Sequence, residues 1–287
     1  MSSLRRTDTG KEINMNSILE YEIVQKIAAV LIMIGTLITP TTARAESITL
    51  ATQTGNNIGL SLSSYQYQEP GIMSSKGRKM GLDLRTTKVL QNDQIIRGDL
   101  RYAFGSVDYN GSGSASGQQD WYIEARGLVG KDWMTNDAVF SPYAGLGYRY
   151  LFNDARGFTS TGATGYRRES NYFYLPIGII HRGALNDQAR LVSTLEYSHL
   201  LIGKQTSRLS DTGLGYGNVT NHQSKGYGLK LSVIFEKGNW AIGPYMHYWN
   251  IGKSDTVILY QNGIPAGIGW EPKNDTVEFG LKASQQF

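Results

Sequence analysis

The chain has 287 residues, of which 18% are charged and 11% are aromatic, with 34 glycines and no cysteine. The lack of cysteine excludes disulfide scaffolds and cysteine-ligated zinc or iron–sulfur sites, and a formal net charge of +4 is too small to indicate a nucleic-acid partner. The charged fraction is below the ~25% of average soluble domains and glycine exceeds its usual ~7%, which together favour an all-β protein. We expect neither a metal nor another cofactor.

The first predicted element is an apolar segment at residues 27–38, which follows Lys26 and is ended by Pro40. A membrane-spanning helix needs ~20 apolar residues, so this segment is too short to cross a bilayer. A short apolar segment that follows a basic residue and precedes small residues is typical of a secretory signal peptide. The sequence therefore predicts an exported protein.

Cleavage of this signal is predicted after Ala45, because Ala43 and Ala45 have the spacing of small residues at a signal-peptidase site. This gives a signal peptide over residues 1–45, with Met15 as an alternative start, and a mature domain over residues 46–287. N-terminal sequencing of the purified protein is expected to begin with the glutamate that follows Ala45. A purified protein that retains the residues before this position would contradict the prediction.

Ten segments in the rest of the chain alternate between apolar residues and polar or small ones. In the first segment, for example, Ile58, Leu60 and Leu62 alternate with glycine and serine. The ten segments are residues 58–63, 80–85, 96–105, 121–129, 143–152, 172–182, 190–201, 227–236, 240–248 and 277–284. Strands of ~9–11 residues with one apolar face cross a membrane as a closed barrel, so we predict an all-β transmembrane antiparallel up-and-down barrel, with ten strands rather than the alternative eight. A soluble β-sandwich, whose strands also alternate, is the competing interpretation.

The predicted connections between these segments alternate between long and short. The long ones are residues 68–77, 108–119, 153–170, 203–224 and 251–274, and the short ones are 91–94, 130–137, 183–188 and 237–239. Outer-membrane barrels have short periplasmic turns and long extracellular loops. The pattern favours the membrane barrel over the sandwich and places both chain ends in the periplasm.

The last segment carries Phe279 and Leu281 on its apolar face, and Phe287 is the final residue. This end resembles the C-terminal assembly signal of Gram-negative outer-membrane proteins, and residues 141–148 are similar to a strand of small OmpA-like and Opa-like barrels. The resemblance implies location in the cell outer membrane, contact with its lipid and lipopolysaccharide, and recognition by the barrel assembly machinery and periplasmic chaperones. OmpA-like and Opa-like barrels have eight strands, fewer than the ten predicted here.

Charged residues recur on the face opposite the apolar one, which a membrane barrel turns towards its lumen. The predicted lumen network consists of Asp83, Arg85, Arg97, Asp99, Arg101, Glu124, Arg126, Arg149, Glu196, Lys230, Glu278 and Lys282, with Arg182 on the same face of its segment. Opposite charges on neighbouring strands pair readily, so we expect a lumen closed by salt bridges. A narrow pore whose arginine excess selects anions is the alternative, since ten strands lie between filled eight-stranded barrels and open porins.

Residues suited to catalysis are sparse. Omptin proteases share the predicted strand number but use Asp–Asp and Asp–His pairs, and here His222 near Asp211 is the one loop candidate. Lipid A deacylases use a serine and a histidine on one strand face, whereas the adjacent Ser198 and His199 face opposite sides of a strand. We expect a non-enzymatic protein with an envelope-structural or adhesive role and an unidentified extracellular ligand. A small channel and an outer-membrane hydrolase are the alternatives.

Overall fold

The computed structural model describes residues 48–287, which form β-strands and two short 3₁₀ turns, Gln91–Asp93 and Leu209–Thr212. The strands are β1 Gly55–Glu69, β2 Met73–Val89, β3 Gln94–Gly111, β4 Gly113–Lys131, β5 Trp133–Met134, β6 Ala138–Phe158, β7 Thr164–Asn186, β8 Ala189–Ser207, β9 Val219–Gln223, β10 Gly226–Lys237, β11 Trp240–Ile251, β12 Val257–Gln261, β13 Ile264–Gly269 and β14 Asn274–Gln286. No helix in this part of the chain is long and apolar enough to cross a membrane. The predicted signal peptide, with Ala43 and Ala45, lies outside the described residues.

Ten of the strands close into one antiparallel barrel, in the order β1, β2, β3, β4, β6, β7, β8, β10, β11 and β14. The seam between β14 and β1 runs from the pair Asn57–Gln286 to the pair Gln68–Asp275. Closure leaves no strand edge unpaired, which is the condition for placing a sheet in lipid. The prediction of a ten-stranded up-and-down barrel is confirmed.

The barrel has a terminal end, where β1 begins and β14 ends, and a distal end formed by the longer connections. The strands extend much further towards the distal end than predicted: β3 and β4 meet at a turn around Ser112, and residues 68–77 form a tight turn at 70–72 flanked by strand. The prediction of long loops at 108–119 and 153–170 is therefore wrong for most of these residues. Their strands lie beyond the apolar band and are polar on both faces, so no hydrophobic alternation marks them in the sequence.

An exposed apolar band surrounds the barrel, as the alternation predicted. Leu60, Leu62, Leu146 and Leu281 are each at least 60% exposed on the outer face. Aromatic rings adjoin this band, as where Trp121 stacks on Phe152 with ring centroids 5.4 Å apart. A continuous apolar exterior with aromatic residues at its boundary is the surface that membrane barrels present to lipid.

The lumen is filled towards the distal end by an apolar cluster, here called the aromatic plug, of Tyr172, Tyr174, Leu200, Trp249 and Ile251. Tyr174 meets Trp249 edge to face with centroids 4.9 Å apart, a favourable aromatic geometry.

Glycine on the neighbouring strand makes room for two tyrosines whose rings lie inside the barrel. A side chain at Gly147 would overlap the ring of Tyr174, and one at Gly178 would overlap the ring of Tyr143. Part of the high glycine content is thereby explained by close approach of large side chains inside the barrel.

Candidate functional site

A carboxylate from the closing strand, Glu278, is the centre of the first group of charges below the aromatic plug. Its side chain is 1% exposed and accepts hydrogen bonds from Arg101 Nη2 (2.6 Å), Tyr122 OH (2.5 Å), Tyr245 OH (2.7 Å) and Ser63 Oγ (3.0 Å). Four donors satisfy both oxygens of the buried anion, which is the condition under which a charge is tolerated away from water. We call these five residues the Glu278 cluster.

Arg101 connects this cluster to the neighbouring wall of the barrel. Its Nη1 lies 2.7 Å from Asp83 Oδ2, and Lys282 Nζ lies 3.1 Å from the other oxygen of Asp83. Asp83 and Arg101 are direct register partners on β2 and β3, whereas Arg101 and Glu278 come from strands that are not neighbours. The guanidinium of Arg101 thus pairs with Asp83 on the neighbouring strand and with Glu278 on a strand that is not a neighbour.

A second group of charges surrounds Asp99. Its carboxylate lies 2.5 Å from Arg126 Nη2, 2.8 Å from Arg85 Nε and 3.4 Å from Arg97 Nε. Arg126 also donates to both oxygens of Glu196, at 2.7 and 2.9 Å. One carboxylate, Asp99, therefore serves three guanidinium groups.

Glu124 joins the charged layer to the aromatic plug. It accepts short hydrogen bonds from Lys230 Nζ and from the hydroxyl of Tyr174, itself a plug residue. Lys230 also lies 4.0 Å from Glu196, its register partner on the neighbouring strand. The pair of Glu124 on β4 with Lys230 on β10 crosses the lumen, because three barrel strands separate β4 from β10 on the shorter way round.

Eleven of the twelve charged residues predicted for the lumen form salt bridges, and Arg149 is the exception. Arg149 is the register partner of Glu124, and sequence alternation alone suggests that the two should pair. Its guanidinium instead lies 4.2 Å from the ring centroid of Tyr122, and none of its nitrogens has a hydrogen-bond partner among residues 48–287. The pair does not form because Glu124 is held by Lys230 and Tyr174.

The sequence interpretation missed several members of the network. Lys79, which is fully buried, pairs with Asp120 and lies 4.1 Å from the ring centroid of Tyr65. Tyr122 and Tyr245, whose hydroxyls bind Glu278, were also not predicted. A signal was present for two of them, because Lys79 shares the alternation phase of Asp83 on β2 and Tyr122 shares that of Glu124 on β4. The strand of Tyr245 has no acidic, lysine or arginine residue, so its phase follows only from its apolar neighbours.

At the terminal end, residues 48–54 cross the mouth of the barrel, and we call them the mouth segment. The backbone N–H of Thr52 donates to Asp132 Oδ2 (2.6 Å) and its hydroxyl donates to Oδ1 (2.9 Å). Arg190 Nη1 donates to the carbonyl of Thr49 (2.5 Å). The segment is thus attached to two different parts of the barrel wall before the chain enters β1.

At the distal end, salt bridges fasten the connection between β8 and β10. Arg167 lies 2.8 Å from Asp211, and its hydrogen bonds lower the pKa of that carboxyl to about 2. Arg208 lies 2.8 Å from Glu169, and its hydrogen bond lowers the pKa of Glu169. These contacts hold the loop against β7.

The predicted loop candidate for catalysis, His222 near Asp211, is not assembled. Asp211 is bound by Arg167, and His222 contributes its backbone N–H to Asp255 (2.7 Å). The hydroxyl of Ser198 donates to Glu196 inside the lumen. Across residues 48–287 no group of three or more histidine, aspartate or glutamate side chains is placed to hold a metal ion.

No family model matches the chain. The search of curated proteins also finds no match. Among solved structures, the outer membrane protease OmpT from Escherichia coli aligns with a TM-score of 0.56 and 11% identity, over 85% of this chain and 100% of that chain. The translocator domain of the autotransporter NalP from Neisseria meningitidis aligns at 0.38 with 9% identity, covering 97% and 100% of the two chains. The attachment invasion locus protein Ail of Yersinia pestis aligns at 0.32 with 11% identity, covering 82% and 100%.

The likeness to OmpT is one of fold, since 11% identity carries no information about activity. Together with the closed ten-stranded barrel and its apolar band, it defines the fold as that of an outer-membrane β-barrel.

Proposed function

We propose that the protein resides in the cell outer membrane as a non-enzymatic barrel with a closed lumen, where it has an envelope-structural or adhesive role. The observation that carries the proposal is the pair of Glu124 with Lys230 across the lumen, directly beneath the aromatic plug. Side chains from opposite walls that meet in this way occupy the space through which a solute would pass. The small non-enzymatic barrels of the OmpA-like and Opa-like type, which the sequence resembles, support the same class of function.

The outer surface supports the proposed location and partners. The apolar band suits contact with outer-membrane lipid, and the basic residues beyond it, such as the 55% exposed Arg156, suit contact with lipopolysaccharide phosphates. Phe279, Leu281 and Phe287 point outwards at 37%, 60% and 71% exposure, which suits recognition by the barrel assembly machinery and periplasmic chaperones. In this orientation the terminal end faces the periplasm and the distal end faces the medium.

The distal end supports an adhesive role through the hairpin of β12 and β13. Residues 256–270 carry no charge, and Ile258, Tyr260, Ile268 and Trp270 are 46–63% exposed. Exposed apolar groups concentrated in one element are typical of surfaces that bind a partner. The chemistry of the hairpin suits an apolar ligand surface.

A small channel is the second candidate, because a cavity remains in the lumen on the terminal side of the Asp99 charges. Conductance of the purified protein in planar bilayers distinguishes the two candidates. We expect no sustained channel in the wild type, because the plug and the salt bridges block the lumen. The double variant Tyr174→Ala with Trp249→Ala should conduct, since it removes two of the three aromatic side chains from the plug.

The control is Leu146→Ala, which truncates an exposed side chain on the outer face of the barrel and should show no conductance, like the wild type. Sustained, anion-selective openings of the wild-type protein would contradict the closed lumen and favour the channel.

A further inference from the structure

The cavity on the terminal side of the lumen has an excess of positive charge. It measures about 210 Å³ and is lined by eight basic and five acidic side chains. Two further carboxylates, Glu278 and Asp132, pair with the lining residues Arg101 and Arg182 from outside the cavity. Seven carboxylates therefore face eight basic side chains, which leaves one positive charge without a counter-charge.

The excess charge is located at Arg97. Its Nε lies 3.4 Å from Asp99, a carboxylate that already accepts hydrogen bonds from Arg85 and Arg126. Among residues 48–287, the Arg97 guanidinium donates no hydrogen bond, and its Nε is a buried donor without a partner. The side chain is 9% exposed, lines the cavity and lies 5.0 Å from the ring centroid of Tyr143. A buried guanidinium that donates no hydrogen bond is costly unless something in the cavity accepts hydrogen bonds from it.

We propose that this cavity binds a small oxyanion of the phosphate or sulfate class, with Arg97 as its principal ligand. A planar guanidinium donates two parallel hydrogen bonds to an oxyanion, which neither water nor chloride reproduces. Arg85 and Arg182 line the same cavity and supply further positive charge. A cavity of about 210 Å³ has room for such an anion with several waters, since one water takes ~30 Å³ of liquid volume.

The anion enters from the terminal end. Thr52 and Gln53 of the mouth segment line the cavity, so this segment is the barrier between the cavity and the solvent. The aromatic plug closes the opposite direction. The orientation given under the proposed function makes this a site for a periplasmic anion, whereas binding itself does not depend on that orientation.

Calorimetric titration of the purified protein in detergent tests the site, with inorganic phosphate as the probe and sodium chloride at matched ionic strength as the reference. We expect saturable binding of one phosphate per chain. The Arg97→Gln variant should bind at least tenfold more weakly, and it should still fold because Arg97 makes no hydrogen bond that folding would lose. The Arg208→Gln variant, which removes a guanidinium from an ion pair at the distal end, should bind phosphate like the wild type.

Arg97→Lys provides a second test that does not depend on how well Arg97→Gln folds. It retains the charge without the planar fork, and its affinity should fall severalfold. Equal affinity in wild type and both Arg97 variants would overturn the proposal, as would a phosphate signal no larger than that of chloride. A third titration uses micelles of phosphatidic acid. Binding to the micelles without binding of free phosphate would assign the site to a lipid headgroup and overturn the free-anion assignment.

Discussion

Replacement of Glu278 by glutamine is expected to lower the free energy of unfolding by about 3–5 kcal/mol, the usual cost of removing one partner from a buried ion pair. Glu278 is 1% exposed and accepts hydrogen bonds from Arg101, Tyr122, Tyr245 and Ser63. The amide nitrogen that replaces one oxygen cannot accept these bonds, so buried donors lose their partner. The measurement is the urea midpoint of unfolding in detergent, followed by tryptophan fluorescence.

The matched control is the same chemical change in an ion pair at the distal surface, Glu169→Gln. Glu169 pairs with Arg208, whose side chain is 38% exposed, and such surface pairs contribute little to stability. We therefore expect its urea midpoint to stay near that of the wild type. If Glu278→Gln unfolds at the wild-type urea concentration, water already solvates the lumen charges and the closed lumen is wrong.

Glu124→Gln is expected to destabilise the protein less than Glu278→Gln. Lys230 would lose its short contact but would keep Glu196 at 4.0 Å, and Tyr174 could donate to the amide oxygen. The same urea titration ranks the two variants.

Deletion of Phe287 is expected to reduce the amount of folded protein in the outer membrane about tenfold. A factor of this size corresponds to the loss of a recognition contact worth ~1.4 kcal/mol. Phe287 is 71% exposed on the outer face of the barrel. Its backbone exchanges two hydrogen bonds with Asn56 across the closing seam, at 2.8 and 2.9 Å. Deletion therefore removes both an outward aromatic side chain and the end of the seam. The measurement is immunoblotting of outer-membrane fractions with and without heating.

Phe287→Ala separates these two contributions, because it keeps the backbone bonds to Asn56 and removes the ring. If the ring is the assembly signal, this variant should be as scarce as the deletion. Phe158→Ala, which removes a 76% exposed ring at the distal end, should accumulate normally. Normal abundance of Phe287→Ala would show that the terminal side chain is not the signal.

The sequence by itself favoured ten barrel strands over eight and indicated the face on which a side chain lies along each regular segment. Ile58, Leu60 and Leu62 alternate with small residues, and the same period recurs in ten segments. Because side chains on a regular strand alternate between two faces, one apolar position in such a segment assigns its neighbours. A bulge reverses the assignment, as in β8, where the adjacent Leu201 and Ile202 are both exposed. In lipid every backbone N–H and C=O group must be paired within the protein, so strands that cross the membrane must close into a barrel.

Strand length was determined only by the tertiary structure. Residues 108–119 and 153–170 are rich in glycine and polar residues, yet most of them extend β3, β4, β6 and β7. These extensions have no continuous apolar face, so burial imposes no period on their sequence. Backbone pairing that continues from the strand below stabilises them, and this continuity is visible only in the folded barrel.

The partners inside the lumen were also determined only by the tertiary structure. Strand parity places Arg101, Glu124 and Arg149 in the lumen, but it says nothing of which strands face each other across the barrel. The rotation and stagger of the closed sheet bring Glu278 to Arg101 and Lys230 to Glu124. The same geometry leaves Arg149 on an aromatic ring without a carboxylate partner. Contacts across a lumen depend on barrel closure, and closure is a property of all ten strands together.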